Sequence, residues 1–140
     1  MHGCCTIYLR DKRSLGMQHY KEWVCIHTAN EVYKVAVEEI VYVIADGNYS
    51  YLYLVDGTCE KFTFQIHYFE EQFCKLHRNP FSRIARSYLI NKDHVRTVNV
   101  NERDVRFGGL TVSDKVKHIK IGRDSAKALK KELNEDNQTS

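Results

Sequence analysis

The sequence predicts a mostly β domain with one central and one C-terminal helix, on three observations. Short runs alternating apolar and polar residues recur through residues 23–64 and again through residues 94–121. Turn-forming groups such as Asp46-Gly47-Asn48 and Asp56-Gly57 separate those runs. Helical spacing occurs in two places, at Ile66, Phe69, Phe73 and Leu76 and at Ala126, Leu129 and Leu133. This order is neither an alternating βαβ chain nor a helical bundle.

Taken in order, residues 23–28 and 32–37 alternate around Ala29-Asn30-Glu31 and read as a hairpin. Residues 40–45 are nearly all apolar, the pattern of a strand buried on both faces. Residues 50–55 set Tyr51 and Tyr53 against Leu52 and Leu54, and Asp56-Gly57 returns the chain as residues 58–64. The central helix follows, with Thr63 as its expected N-cap and Asn79-Pro80 as its stop. Residues 81–85 form a short strand before a tight turn. Further strands are expected at residues 94–100, 104–107 and 116–121, with Gly108-Gly109 between the last two. Gly122 precedes a helix over residues 124–133. Residues 1–21 read as an N-terminal extension, 22–133 as the folded domain and 134–140 as a disordered tail.

Composition narrows the function. No apolar run is long enough to cross a membrane, and near the N-terminus Arg10, Lys12 and Arg13 follow the short apolar stretch that a signal peptide would place after them. A cytoplasmic protein with no membrane partner is expected. Five cysteines, Cys4, Cys5, Cys25, Cys59 and Cys74, form no Cys-x-x-Cys pair, which argues for reduced thiols. Cys74 with His77, or Cys25 with His27, could each supply two metal ligands, but no second pair completes a site. Seven histidines are scattered without a nucleophile–base pair or a Gly-rich phosphate loop, so neither an enzyme nor a cofactor is expected. Charge is unevenly spread. Residues 1–80 carry 8 Lys+Arg against 10 Asp+Glu, whereas residues 81–131 carry 13 against 5. A half this basic is the footprint of a polyanion partner, or else a mixed solvated surface.

The basic half opens with Phe-Ser-Arg-Ile-Ala-Arg-Ser-Tyr-Leu-Ile-Asn over residues 81–91. Arg83 and Arg86 stand among Phe81, Ile84, Leu89 and Ile90, so a buried backbone would project two guanidinium groups. Rigid guanidinium groups suit phosphates and guanine edges, although solvated surface charges would read the same way. Three segments together resemble the LytTR family of bacterial DNA-binding domains, the output domain of many response regulators. They are Glu-Ile-Val-Tyr-Val-Ile-Ala-Asp-Gly-Asn-Tyr-Ser-Tyr-Leu-Tyr-Leu-Val-Asp-Gly at 39–57, the 81–91 segment, and Ile-Gly-Arg before the terminal helix within 119–133. The resemblance covers about residues 22–133.

That resemblance implies a LytTR-like fold of small packed β-sheets whose loops enter successive major grooves of double-stranded DNA. It implies a transcriptional regulator contacting DNA through Asn48 and Tyr49, through Arg86 and Ser87 with Lys92 beside them, and through Arg123. Arg86 and Asn48 suit guanine and adenine edges, and Ser87 and Lys92 suit phosphates. Arg123 lies near a helix N-terminus, where phosphate is favoured. Asn48 would serve equally as a turn former, and Tyr49 as a cap on the sheet edge. Arg83 reads as support or as a phosphate contact. The family's use of paired sites implies self-association on DNA. Two departures stand out. Ala85 occupies a position where the family has histidine, and residues 1–21 are too few for a receiver domain. The expectation is a stand-alone domain, with a protein-interaction module of the same fold as the alternative.

Overall fold

A computed structural model describes residues 22–108 and 112–138, and among them ten strands in three antiparallel sheets accompany two α-helices. The mostly β architecture read from the alternation is therefore present. β1 (Trp23–His27) and β2 (Val32–Ala36) pair as a hairpin, turning Val24, Ile26 and Val35 into the interior. A single turn of 3-10 helix, Val37–Glu39, leads into β3 (Ile40–Asp46). β4 (Tyr49–Leu54) and β5 (Cys59–Phe62) continue as a meander. After α1 (Ile66–Cys74), β6 (Phe81–Ile84) and β7 (Tyr88–Asn91) form a second hairpin. These join in one five-stranded sheet of order β5-β4-β3-β7-β6, so β3 is hydrogen-bonded on both edges.

The sheet is covered on both faces, as the apolar run at 40–45 requires. On one face Ile40, Val43, Leu52 and Leu89 pack against Phe69 and Phe73 of α1 and against the β1–β2 hairpin. On the other, Val41, Tyr42, Ile84 and Ile90 meet the second core. Ile40 and Val43 are three apart, an odd spacing that strict alternation would send to opposite faces. The register break between Ile40 and Tyr42 inserts the extra residue that lets both face α1. The second core is closed by β8 (Val95–Asn99), β9 (Asp104–Phe107), β10 (His118–Lys120) and α2 (Arg123–Gln138). Strands β8, β9 and β10 form a separate sheet in which β9 is central. Tyr42 lies between Tyr53 and Phe107, with ring centroids at 4.8 and 5.2 Å, and burial pushes its phenol up to about 12. It stays neutral and packs as an aromatic.

Several expectations are corrected. Thr63 does not cap α1. Gln65 stands at the N-cap position without a side-chain hydrogen bond to the helix, and its Nε2 donates to Asn48 Oδ1. The expected strand at 94–100 begins one residue later, since Lys92–His94 form a 3-10 turn. The strand at 116–121 contracts to β10, because Asp114–Val116 close another 3-10 turn capped by Ser113. α2 begins at Arg123 and runs on through Gln138, past the expected end at Leu133. Residues 134–138, expected in a disordered tail, are helical. The N-terminal extension with Cys4 and Cys5, together with Gly109, lies outside the described residues.

Asn91 explains why a polar residue ends the 81–91 segment. It is 1% exposed; its Nδ2 donates to the Ile40 carbonyl at 2.8 Å and its Oδ1 accepts the Asp93 amide at 2.9 Å. It thus ties the start of β3 to the end of β7. Removing it leaves a buried carbonyl unpartnered. Asn91→Ala is expected to destabilise the domain by about 2–4 kcal/mol, read from its urea midpoint. Nearby, Arg78 makes a two-point contact with Asp93 at 2.7 and 2.9 Å, and this hydrogen bonding holds the Asp93 carboxyl below the usual carboxylate range. Because the folded pKa is the lower one, the contribution is complete above the unfolded value of about 3.9 and disappears as pH falls through the folded value. Asp93→Asn should therefore flatten the loss of stability between about pH 5 and pH 2 in an unfolding series.

Candidate nucleic-acid interface

Double pairing of β3 sets two turns side by side at one end of the main sheet. The β3–β4 turn carries Gly47 at φ 64 and the exposed Asn48, followed by Tyr49 at the start of β4. The β6–β7 turn carries Ala85, Arg86 and Ser87. The Ala45 amide donates to the Ser87 carbonyl at 2.8 Å, which extends the β3–β7 pairing directly into that turn. The two turns are centred two strand spacings apart, about 10 Å.

The β6–β7 turn is the more constrained. Ala85 and Arg86 both occupy the left-handed region, at φ 56 and φ 65, although neither is glycine. Each such residue costs on the order of 1–2 kcal/mol. Arg83 offsets part of this strain. Alternation along β6 places Phe81 and Arg83 on the α1 side, with Ser82 and Ile84 on the α2 side. From there the Arg83 Nε and Nη2 donate to the Arg86 carbonyl at 3.1 and 2.8 Å, while Nη1 reaches Glu70 of α1 at 2.6 Å. The guanidinium is fully engaged in holding the turn, so Arg83 takes the supporting role and does not project outward. The exposed Arg86 side chain is carried on the backbone that Arg83 clamps.

The third element joins through β7. The Tyr88 hydroxyl donates to the Lys120 carbonyl at 3.4 Å, and Ile84 and Ile121 share the second core. Arg123, exposed at the first position of α2, follows two residues after Ile121. Its neighbour across the backbone is the β8–β9 turn, where the Ile121 amide donates to the Arg103 carbonyl at 3.0 Å. Arg103 is itself left-handed, at φ 55, and exposed.

Five of the six anticipated residues, Asn48, Tyr49, Arg86, Ser87 and Arg123, therefore belong to elements linked at one end of the molecule. Lys92 does not join them. It lies beyond the opposite end of β7, about 17 Å along the strand from Ser87. There its half-buried ammonium stands 3.7 Å from Glu132 of α2. Sequence reasoning missed Lys61, Gln65 and Arg103. Lys61 Nζ lies 4.2 Å from the centre of the Tyr49 ring, and Gln65 Nε2 donates to Asn48 Oδ1 at 3.3 Å. A two-residue Asp56-Gly57 turn would have set Lys61 opposite Leu52, whereas the loop takes in Val55 as well and sets Lys61 opposite Tyr51, on the Tyr49 side. Nothing in the sequence marks an arginine for a left-handed turn, so Arg103 carried no signal.

The sulfur and imidazole pairs are dispersed. Cys25 is buried in the β1–β2 hairpin, whereas His27, Cys74 and His77 are exposed. Among the described residues no three His, Cys, Asp or Glu gather as they would around a metal ion. No described helix is long and apolar enough to cross a membrane.

A sheet that presents cationic and amide side chains on hydrogen-bonded turns at one end has the polarity that suits a polyanion. The model of the LytTr DNA-binding domain family matches residues 30–134, most of the chain. The chain belongs to that family, and its function lies in DNA binding and transcription regulation. No curated protein matches it.

Because the turn depends on a planar two-pronged donor, lysine is no substitute for Arg83. Arg83→Lys is expected to destabilise the domain by about 1–2 kcal/mol in urea unfolding and to speed amide exchange at Ser87.

Proposed function

We propose that the chain is a sequence-specific regulator that reads double-stranded DNA in the major groove through the β3–β4 and β6–β7 turns. The observation that carries the reading is the clamped β6–β7 turn beside Asn48. Arg86 is exposed on a backbone held by three contacts, two from Arg83 and one between the Ala45 amide and Ser87. Turns about 10 Å apart suit a major groove about 12 Å wide.

Arg86 offers a fork to guanine O6 and N7. Asn48 offers its amide to adenine N6 and N7, already oriented by Gln65. Ser87 and Lys61 face phosphate, Lys61 from its place over the Tyr49 ring, and Arg123 adds a cation where the α2 dipole also favours an anion. Ala85, small and left-handed, leaves Arg86 without a bulky neighbour on its own turn. Lys92 serves the packing of α2 in this reading, through Glu132.

Selection from random duplexes supplies the best site, and Arg86→Ala is then expected to cost about 1–3 kcal/mol on it and to relax preference at one base pair. Equal loss on every sequence would demote Arg86 to a phosphate contact. Retention of no duplex at low salt would instead favour a protein-interaction module built on the same fold.

A further inference from the structure

α2 and the β8–β9 turn enclose a groove of about 600 Å³ on the flank of the reading end. Its helical wall is Lys127, Lys130, Lys131 and Asn134. All four are exposed, and they fall on one stripe of α2 because they recur at spacings of three and four. Arg123 begins the same stripe, four residues before Lys127. The inward stripe of Ala126, Leu129 and Leu133 is turned well away from it, into the second core. The opposite wall is Val98, Asn99, Val100 and Asn101, with the two asparagines as its polar members. Val98 and Val100 alternate with them and pack against the second core, which sends the two asparagines outward. Asn99 Oδ1 already accepts the Glu102 amide at 2.9 Å, so its NH2 is the end offered to a ligand. Two exposed acids of α2, Asp124 near its start and Glu135 near its end, flank the stripe.

The geometry points to a second, sequence-independent DNA contact here, a phosphate-backbone track formed by Lys127, Lys130 and Lys131 with Asn99 and Asn101. The inference rests on the DNA reading above and extends it beyond the turns. Three arguments favour the DNA backbone as occupant. The groove offers ammonium and amide donors, the polarity that phosphate oxygens require. It is continuous with the reading end through Arg123. From Arg123 to Lys131 the helix rises about 12 Å, and one DNA strand places a charge every 3.4 Å of axis, so the stripe spans about three phosphates.

The test compares the full chain with a variant carrying Lys127→Gln, Lys130→Gln and Lys131→Gln, on a selected duplex and on an unrelated one, across salt concentrations. Three phosphate contacts predict that the slope of log affinity against log salt becomes shallower by about 2.7. Between 50 and 200 mM salt the parent should then lose about 40-fold more affinity than the variant. The loss at low salt should be equal on both duplexes, leaving base preference intact. A second variant with arginine at all three positions should keep the parental slope, and matching thermal melts show that each variant folds. An unchanged slope in the glutamine variant overturns the track while leaving the reading of the turns in place. An unchanged slope with lost retention on poly-glutamate assigns the groove to an acidic protein and likewise overturns it. A parent chain that retains no duplex overturns both.

Discussion

The arrangement of the molecule depends on β3 being paired on both edges. β4 follows β3 directly in sequence, whereas β7 arrives after a helix and another strand, so the β3–β7 pairing is the long-range contact that closes the sheet. Each residue of β3 must then satisfy two ladders and two packed faces at once. The bulge between Ile40 and Tyr42 is the local adjustment that makes this possible, sending Ile40 and Val43 to one core and Tyr42 to the other. The same pairing makes neighbours of two turns separated by nearly forty residues of chain. Asn91 locks the far end of that pairing through the Ile40 carbonyl, and the Ala45 amide locks the near end through Ser87.

Basic side chains in the second half of the chain divide by what they face. Arg83 meets Glu70, Lys92 meets Glu132, and Arg78, just ahead of that half, meets Asp93. These contacts join α1, the β7 end and α2 to the main sheet, and they remove cations from the outer field. Arg86, Arg103, Arg123 and the α2 lysines are exposed. Net charge understates the local field where these exposed cations gather on neighbouring elements. Rigidity and charge meet in the β6–β7 turn, where one arginine holds the strained backbone that carries the next. A backbone fixed in this way loses little conformational freedom when a side chain that it carries engages a ligand.

Much of this was legible. Alternation located the strands, and the two helical spacings located α1 and the start of α2. The 81–91 segment identified the central element because its apolar residues face both cores in turn. Legibility failed where side chains chose distant partners. Gln65, rather than Thr63, precedes α1 and bonds Asn48 on a distant turn, which no local pattern encodes. Lys92 looked adjacent to Arg86 in sequence, yet four extended residues carry it to the other end of the sheet. Arg83 and Arg86 are chemically identical in the sequence. Only the alternation of β6 against α1 separates the clamping arginine from the exposed one.

By itself, then, the sequence determined the element types, the two-faced burial of β3, the uneven charge and membership of a DNA-binding family. Those follow from local periodicity and from motifs, which act over a few residues. The tertiary structure alone decided that the turns share one end, that Arg83 turns inward to Glu70, that Lys92 stands apart, and that Lys127, Lys130 and Lys131 face Asn99 and Asn101 across a groove. Each of these is a contact between residues far apart in the chain. Such contacts are set by strand register and by which face of a helix is buried, and neither is fixed until the sheets and helices pack.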